Sequence, residues 1–146
     1  MSAPIWQQDN FIISMDKTKL DLKVIHQFLT KSYWANGRTL DEVVCSIKNS
    51  ICLGLYDENK QIGFARIVTD SILFAYLCDV FILPSYQGQG LGKWLIDTIF
   101  NIHEFKGIKT WMLATKDAHD LYEKFRFKPH QHPERLMVRK TNDEIN

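Results

Sequence analysis

Apolar and polar positions follow two different periods along this chain of 146 residues. Short apolar segments bounded by turn residues predict β-strands, and these segments are Phe11–Met15, Ile51–Tyr56, Gln61–Val68 and Ile72–Leu83. Apolar residues three and four positions apart predict helices over Leu20–Ser32 and Leu40–Asn49. Thr39 is a predicted N-cap for the second helix, because Asp41 and Glu42 suit its first turn.

A loop with alternating glycines follows the longest apolar segment. Leu91, Leu95 and Ile99 then recur about one turn apart and predict a helix. Lys109–Ala114 predicts another strand, Asp117 a cap for a short helix over Ala118–Phe125, and Phe127 with Arg135–Val138 the closure of the sheet. The predicted order is β-α-α-β-β-β-α-β-α-β. We therefore expect one α/β domain over residues 1–146, with an antiparallel meander followed by a parallel crossover in a mixed sheet.

Composition and charge narrow the class of protein. With 18 basic and 17 acidic residues the net charge is +1, which gives no field for nucleic acid or an anionic membrane. No apolar segment approaches the roughly 20 residues of a spanning helix, and the first residues lack signal-peptide features. Cys45, Cys52 and Cys78 have no metal-type spacing. We expect a cytoplasmic protein with no metal, nucleic-acid or membrane partner.

The glycine loop has the features of an anion site. Glycines let the backbone approach a ligand, and a helix N-terminus offers unpaired N–H groups with a positive dipole end. A P-loop is excluded because Trp94, and not Ser or Thr, follows Lys93. A dinucleotide fingerprint is excluded because its third glycine falls at 92 and not at 93. The alternative is an ordinary strand-to-helix turn that binds nothing.

Two motifs resemble signatures of the GNAT superfamily of acetyl-CoA-dependent N-acetyltransferases. The first is Gln87-Gly88-Gln89-Gly90-Leu91-Gly92, which resembles Gln/Arg-x-x-Gly-x-Gly/Ala. The second lies in 118–127, where Leu121, Tyr122 and Lys124 are similar to the family's Leu-Tyr-x-Lys. The predicted element order is also that of the family, so the resemblance covers nearly the whole chain.

The resemblance implies roles for specific positions. The amides of the 87–92 loop would hold the pyrophosphate of acetyl-CoA, the co-substrate. The main chain of Val80, Phe81 and Ile82 would pair with the pantetheine arm, and one of its amides would stabilise the thioester oxygen. Tyr122 would protonate the leaving thiolate, since a phenol stays protonated at neutral pH. The strands Ile72–Leu83 and Lys109–Ala114 would splay apart around the pantetheine.

Two positions depart from the family pattern. Arg126 stands where relatives have glycine, which costs on the order of 1 kcal/mol if that position has a positive φ. Many relatives have an asparagine before the final helix that bonds the pantetheine, whereas this chain has Thr115 and Asp117. Both are candidate cofactor contacts.

Asp79 is a carboxylate within an apolar strand, so we expect it to be paired or functionally tuned. Simple alternation would place Leu77, Asp79 and Phe81 on one face of that strand. Arg66, in the neighbouring apolar strand, is its expected partner. The sequence leaves three roles open: a structural ion pair, a general base, or a substrate contact. Water could also remove the proton from the amine.

The acceptor site is predicted to involve the first two helices and their loop, as in relatives. Tyr33, Trp34 and Arg38 are candidates there, and Arg66 is a further one; Trp34 could bind an ammonium through cation–π contact. The expected activity is acetyl transfer to a primary amine of a small molecule or an exposed protein amine. The alternatives are a non-catalytic acyl-CoA sensor and a transferase for a longer acyl group. Relatives are often dimers, which allows a homodimer.

Overall fold

The computed structural model describes residues 3–141. The chain divides into two compact units, the first ending at Thr115 and the second beginning at Lys116. The expectation of a single domain stays a prediction. None of the helices in the described range is long and apolar enough to cross a membrane.

One six-stranded mixed sheet lies in the first unit. Its strands, adjacent in chain order, are β1 (Ile5–Gln8), β2 (Phe11–Ser14), β3 (Ile51–Asp57), β4 (Lys60–Thr69), β5 (Phe74–Ile82) and β6 (Thr110–Met112). Strands β1 to β5 pair antiparallel, and β6 pairs parallel to β5. The predicted meander and parallel crossover are confirmed.

Three helices of the first unit and one of the second lie close to their predicted positions. They are α1 (Leu22–Thr30), α2 (Leu40–Lys48), α3 (Leu91–Phe100) and α4 (His119–Glu123). Thr39 caps α2 as predicted, in a reciprocal capping box with Glu42. The N-cap of α4 is Ala118, without a side-chain hydrogen bond. The prediction that Asp117 caps this helix was therefore wrong.

The sequence reading was also wrong at both ends of the chain. It missed β1, whose residues are mostly exposed and show no apolar alternation, because an edge strand needs little burial. It assigned a closing strand to Phe127 and Arg135–Val138, but no strand occurs there. Met137 is 94% exposed and Val138 is 80% exposed. Their apolar composition alone does not make a strand, because they bury almost nothing.

Helices α1 and α2 pack on one face of the sheet. Their buried residues Ile25, Leu29, Val43 and Ile47 form one core with Cys52, Phe64, Phe81 and Ala35. Phe28 of α1 stacks on Phe81 with ring centroids 4.1 Å apart. Leu53 and Leu55 point to the opposite face of β3 and are also fully buried, so both faces are covered.

A β-bulge interrupts the pairing of β4 with β5. Phe64 lies opposite Phe81 and Arg66 lies opposite Cys78, so Asp79 and Val80 together face a single residue of β4. Asp79 has φ 54°, in the left-handed region. Because directly opposed residues share a face, Phe81 points to the same side as Cys78. The predicted strict alternation through Leu77, Asp79 and Phe81 was therefore wrong.

Arg126 has φ 69° at the end of α4. The amide of Phe127 bonds the carbonyl of Tyr122, and the amide of Arg126 bonds that of Glu123, which is a Schellman motif with Arg126 at the glycine position. We expect Arg126→Gly to raise the free energy of unfolding by about 1 kcal/mol, measured in urea. Arg126→Ala keeps the backbone strain and is the control. An equal gain from alanine would show that strain is not the cause.

Candidate active site

The loop between β5 and α3 is an open cradle of backbone groups. Gly88 has φ 86° and Gly90 has φ 85°, and a Cβ built on either would meet nothing within 4 Å. Gly90 is the N-cap of α3, and no side chain among residues 3–141 makes a cap hydrogen bond there, so the N–H groups of the first turn are available to a ligand. The cradle fits a phosphate group, which such N–H groups and the helix dipole favour.

The two glutamines of the loop hold its shape. Gln87 Nε2 donates to the carbonyl of Ile82 at 2.8 Å, and Gln89 Nε2 donates to the carbonyl of Tyr86 at 3.2 Å. Leu91 is buried, so only its main chain can face a ligand. Gly92 lies in the first turn of α3. The predicted loop residues thus divide into backbone donors and side chains that brace them.

The pairing of β5 with β6 is short. It covers three residues of each strand and ends at Tyr76 and Met112, where β6 itself ends. From Leu77 to Ile82, β5 has no ladder partner in β6. The predicted splaying of the two strands stays a prediction. This edge of β5 includes Val80, Phe81 and Ile82, and the carbonyl of Ile82 accepts the hydrogen bond from Gln87.

The side chain of Asp79 is the centre of a hydrogen-bonded cluster. It accepts hydrogen bonds from Trp34 Nε1 at 2.9 Å, from Arg38 Nη1 at 2.8 Å and from Arg66 Nε at 2.9 Å. The side chains of Asp79, Arg66 and Arg38 are 2%, 15% and 24% exposed. The predicted pairing of Arg66 with Asp79 is confirmed. The sequence did not predict that Trp34 and Arg38 share the same carboxylate.

The loop between α1 and α2 is fixed by its own hydrogen bonds. Ser32 Oγ donates to the carbonyl of Leu29 at 2.6 Å and accepts from the amide of Ala35 at 3.1 Å. The amide of Arg38 donates to the carbonyl of Ala35, and the carbonyl of Arg38 contacts His26 Nε2 at 3.0 Å. These bonds hold Trp34 and Arg38 against β5. Tyr33 meets Trp34 edge-on and remains exposed.

Arg66 is held from a second side by α2 and β3. Its Nη1 donates to Ser50 Oγ at 2.9 Å, and Ser50 Oγ in turn donates to the carbonyl of Ser46. Sequence reasoning missed Ser50, because a serine between a helix and a strand gives no signal of a distant partner. Arg66 is thereby anchored within the fold.

The two thiols beside this cluster are not activated. Burial raises the pKa of Cys52 and of Cys78 to about 11 in each case. Both therefore stay protonated at neutral pH, and a thiolate is the form that acts as a nucleophile.

A pocket of about 410 Å³ lies beside α1 and the end of β5. It is lined by Val24, Gln27, Phe28, Lys31, Ser32, Trp34, Leu83 and Pro84. Trp34 belongs both to this lining and to the Asp79 cluster. Sequence reasoning predicted an acceptor site at the first two helices and their loop, but it named none of the α1 residues of this lining. The apolar spacing of Val24 and Phe28 gave no means of separating a pocket wall from the core.

In the second unit, Tyr122 is 8% exposed and its ring meets Phe127 edge-on at 5.8 Å. Its amide closes the first turn of α4 on the carbonyl of Ala118. Asp117 is exposed at the start of this unit, and Thr115 is half-buried at the end of the first. The assignments of Tyr122, Thr115 and Asp117 to the site stay predictions.

The acetyltransferase (GNAT) domain family matches residues 48–129, just over half of the chain. The chain belongs to the GNAT acetyltransferase family. It is similar to a GNAT-family structure from Xanthomonas campestris pv. campestris, with 37% identity, a TM-score of 0.86, and coverage of 90% of this chain and 93% of that one. It is 29% identical over 140 residues to a candidate acetyltransferase of Gibberella zeae, covering 82% of this chain and 79% of that protein.

A third relative has a named acceptor. The chain is 41% identical over 81 residues to the ribosomal protein bS18-alanine N-acetyltransferase of Haemophilus influenzae. That match covers 51% of this chain and 53% of the relative. The family match and these relatives identify the chain as an acetyltransferase enzyme. Enzymes of this family use acetyl-CoA and act on amine acceptors. Among the described residues of this GNAT enzyme, no group of three or more His, Cys, Asp and Glu could hold a metal.

Proposed function

We propose that the enzyme transfers the acetyl group of acetyl-CoA to a primary amine, of a small molecule or an exposed protein amine, by direct attack. The observation that carries the proposal is the open glycine cradle at the N-terminus of α3, next to the unpaired edge of β5. A phosphate-binding loop beside a free strand edge suits a ligand with a pyrophosphate and an extended amide-containing arm. The relative from Haemophilus influenzae supports an amine as acceptor.

The proposed co-substrate contacts come from main-chain groups. The amides of Gly88, Gln89, Gly90, Leu91 and Gly92 would hold the pyrophosphate, and the edge of β5 at Val80, Phe81 and Ile82 would pair with the pantetheine amides. The amide of Gln87 donates to the carbonyl of Pro84, so Gln87 would support the loop through its side chain. Thr115 and Asp117 are proposed as side-chain contacts to the pantetheine, from their match to the position of the family asparagine.

The bulge gives this edge a further role. A bulge leaves one residue without ladder partners and turns its backbone, and here the turn occurs at Asp79 with φ 54°. We place the amide of Val80 or its neighbour against the thioester oxygen, where negative charge develops as the amine attacks. When bound, acetyl-CoA supplies the activated acyl group and a thiolate leaving group.

Tyr122 would donate the proton that the leaving thiolate takes up. This role rests on the match of residues 121–124 to the family signature. Direct attack is supported by the raised pKa values of Cys52 and Cys78, which stay thiols because of burial and so offer no acyl-enzyme route.

For Asp79 we propose a positioning role in place of a base. Its two oxygens already accept three hydrogen bonds, two of them from guanidinium groups, and its side chain is 2% exposed. A base must reach the proton that it removes, within hydrogen-bond distance or through one water. A carboxylate occupied in this way holds Trp34 and Arg38 at the acceptor site and leaves proton removal to water.

The substitution Gly90→Ala tests whether the cradle binds the phosphates of CoA. The new methyl group lies in the open cradle and the residue keeps a left-handed backbone, so we expect the Kd for CoA to rise at least about tenfold and stability to fall by about 1–2 kcal/mol. Isothermal titration with CoA measures the first effect. Gly37→Ala is a matched control, since Gly37 has φ 86° and nothing within 4 Å. Equal weakening of CoA binding by both variants would contradict the proposed cradle.

The activity itself is tested by thiol release from acetyl-CoA in the presence of amines, polyamines, amino acids, aminoglycosides and peptides. We expect release that depends on one class of amine. Tight binding of acetyl-CoA with no release across the panel would contradict the proposal and favour an acyl-CoA sensor.

A further inference from the structure

The Asp79 cluster carries more positive than negative charge. One carboxylate faces two guanidinium groups, and the described residues give Arg38 and Arg66 no second carboxylate as an ion-pair partner. Arginine stays charged in proteins, so the cluster carries a net charge of about +1. A half-buried excess charge of this kind is stabilised when an anion binds next to it.

The two arginines differ in how many donors the protein uses. Arg66 donates hydrogen bonds from Nε to Asp79 and from Nη1 to Ser50, and these two bonds anchor it inside the fold. Among the described residues, Arg38 donates a side-chain hydrogen bond only from Nη1, to Asp79. A guanidinium has five N–H donors in a planar fork. Arg38 is the more exposed of the two, and its Nε and Nη2 make no hydrogen bond to the described residues, which leaves them available for a ligand.

The surroundings of Arg38 also select against cations. Trp34 joins the cluster to the 410 Å³ pocket, and its side chain is 40% exposed. The one charged residue in the lining of that pocket is Lys31, and no carboxylate lines it. The remaining lining is mostly apolar. The lining of this pocket offers a polyamine no carboxylate, whereas a molecule with an anionic group and an apolar group would be complemented at both ends.

The anion subsite lies close to the reaction. Asp79, which holds Arg38, precedes Val80 in the chain, and consecutive Cα atoms are about 3.8 Å apart. The proposed position of the thioester is along Val80–Ile82. This short connection favours an acceptor in which the amine and the anionic group are separated by only a few atoms, as they are in an amino acid. Planar carboxylates also match the guanidinium fork with two parallel hydrogen bonds.

We propose that the acceptor is a free amino acid, with its carboxylate bound by Arg38 and an apolar side chain in the pocket beside Trp34 and Phe28. This inference rests on the proposed acetyl transfer and names the substrate class of that site. Trp34 forms the wall between the two subsites. Asp79 fixes the direction of the Arg38 fork.

The test compares matched acceptors with the wild-type enzyme, by thiol release from acetyl-CoA. Leucine, leucinamide and 3-methylbutylamine share an apolar group and an amine but differ in the carboxylate; a leucine-initiated peptide, O-phosphoethanolamine and spermidine complete the set. We expect kcat/KM for leucine to exceed that for leucinamide and 3-methylbutylamine by about ten- to a hundredfold, because a hydrogen bond to a charged group is lost. Methionine and phenylalanine with their amides repeat the comparison.

Variants then assign the effect to Arg38. Arg38→Gln should lower kcat/KM for leucine by about ten- to a hundredfold, mainly through KM, and change that for leucinamide much less. Arg38→Lys should recover part of the loss, since it keeps the charge but not the fork. Lys23→Gln removes an exposed positive charge of α1 outside the pocket lining and should leave the preference unchanged.

The outcomes separate this inference from the proposed function. Thiol release with leucinamide, the peptide or spermidine equal to or above that with leucine would overturn the carboxylate subsite and leave acetyl transfer standing. A preference for O-phosphoethanolamine would overturn the carboxylate in favour of a phosphate. Binding of acetyl-CoA with no release for any acceptor would overturn both proposals.

Discussion

Tyr122→Phe is expected to lower kcat by about a hundredfold to ten-thousandfold while the Kd for acetyl-CoA changes little. The substitution removes only the phenolic oxygen, and loss of a general acid typically costs this much. The deficit should appear in kcat and kcat/KM together, because the proton transfer belongs to the transition state. Single-turnover thiol release and a separate titration with acetyl-CoA give the two quantities.

Tyr56→Phe is a matched control for this prediction. The hydroxyl of Tyr56 is buried and has no hydrogen-bond partner among the described residues, so that its removal takes nothing from the site. We expect normal turnover and unchanged or slightly higher stability for this variant. If Tyr122→Phe kept the turnover of Tyr56→Phe, the acid role of Tyr122 would be wrong.

Asp79→Asn is expected to lower the free energy of unfolding by about 3–5 kcal/mol. The amide keeps the size of the side chain but removes the charge that Arg66 and Arg38 share, and uncompensated buried charges are costly. Urea unfolding followed by fluorescence of the tryptophans measures the loss. Asp97→Asn, at an exposed position of α3, should stay within about 0.5 kcal/mol of the wild type.

The same variant separates the positioning role from a base role. With Asp79 as a positioning residue, the fraction of Asp79→Asn that folds should keep the pH dependence of kcat/KM, with a raised KM for the acceptor. A base role predicts the loss of the acidic limb of the pH profile at unchanged acceptor KM. A small change in stability with a large change in the profile would contradict the account of the cluster.

Much of the fold follows from local signals in the sequence. The meander, the glycine loop and α3 are marked by short apolar segments, turn residues and a 3.6-residue period, and all were predicted. The elements near the two ends of the chain were predicted wrongly, because β1 is an exposed edge strand and the apolar residues at 136–138 bury almost nothing. Burial of a segment depends on the rest of the fold, which periodicity does not report.

The site was predictable where chemistry and spacing coincide. The Arg66–Asp79 pair follows from two charges in adjacent apolar strands. The bulge did not follow, because one extra residue in a ladder leaves no mark on composition, and it changed which side chains share a face. The convergence of Trp34 and Arg38 on Asp79 depends on hydrogen bonds of Ser32 and His26 across a loop. Tertiary contacts of this kind leave no periodic pattern in the sequence from which they could be predicted.

The proposed activity is the transfer of an acetyl group from acetyl-CoA to an amine. The most direct measurement uses acetyl-CoA with an isotopic label in the acetyl group, and follows the label by mass spectrometry across the acceptor panel. We expect labelled N-acetyl product in equal amount to the thiol released, with no labelled enzyme intermediate. Label that stays on the thioester, or that is released only as acetate whatever amine is present, would contradict it.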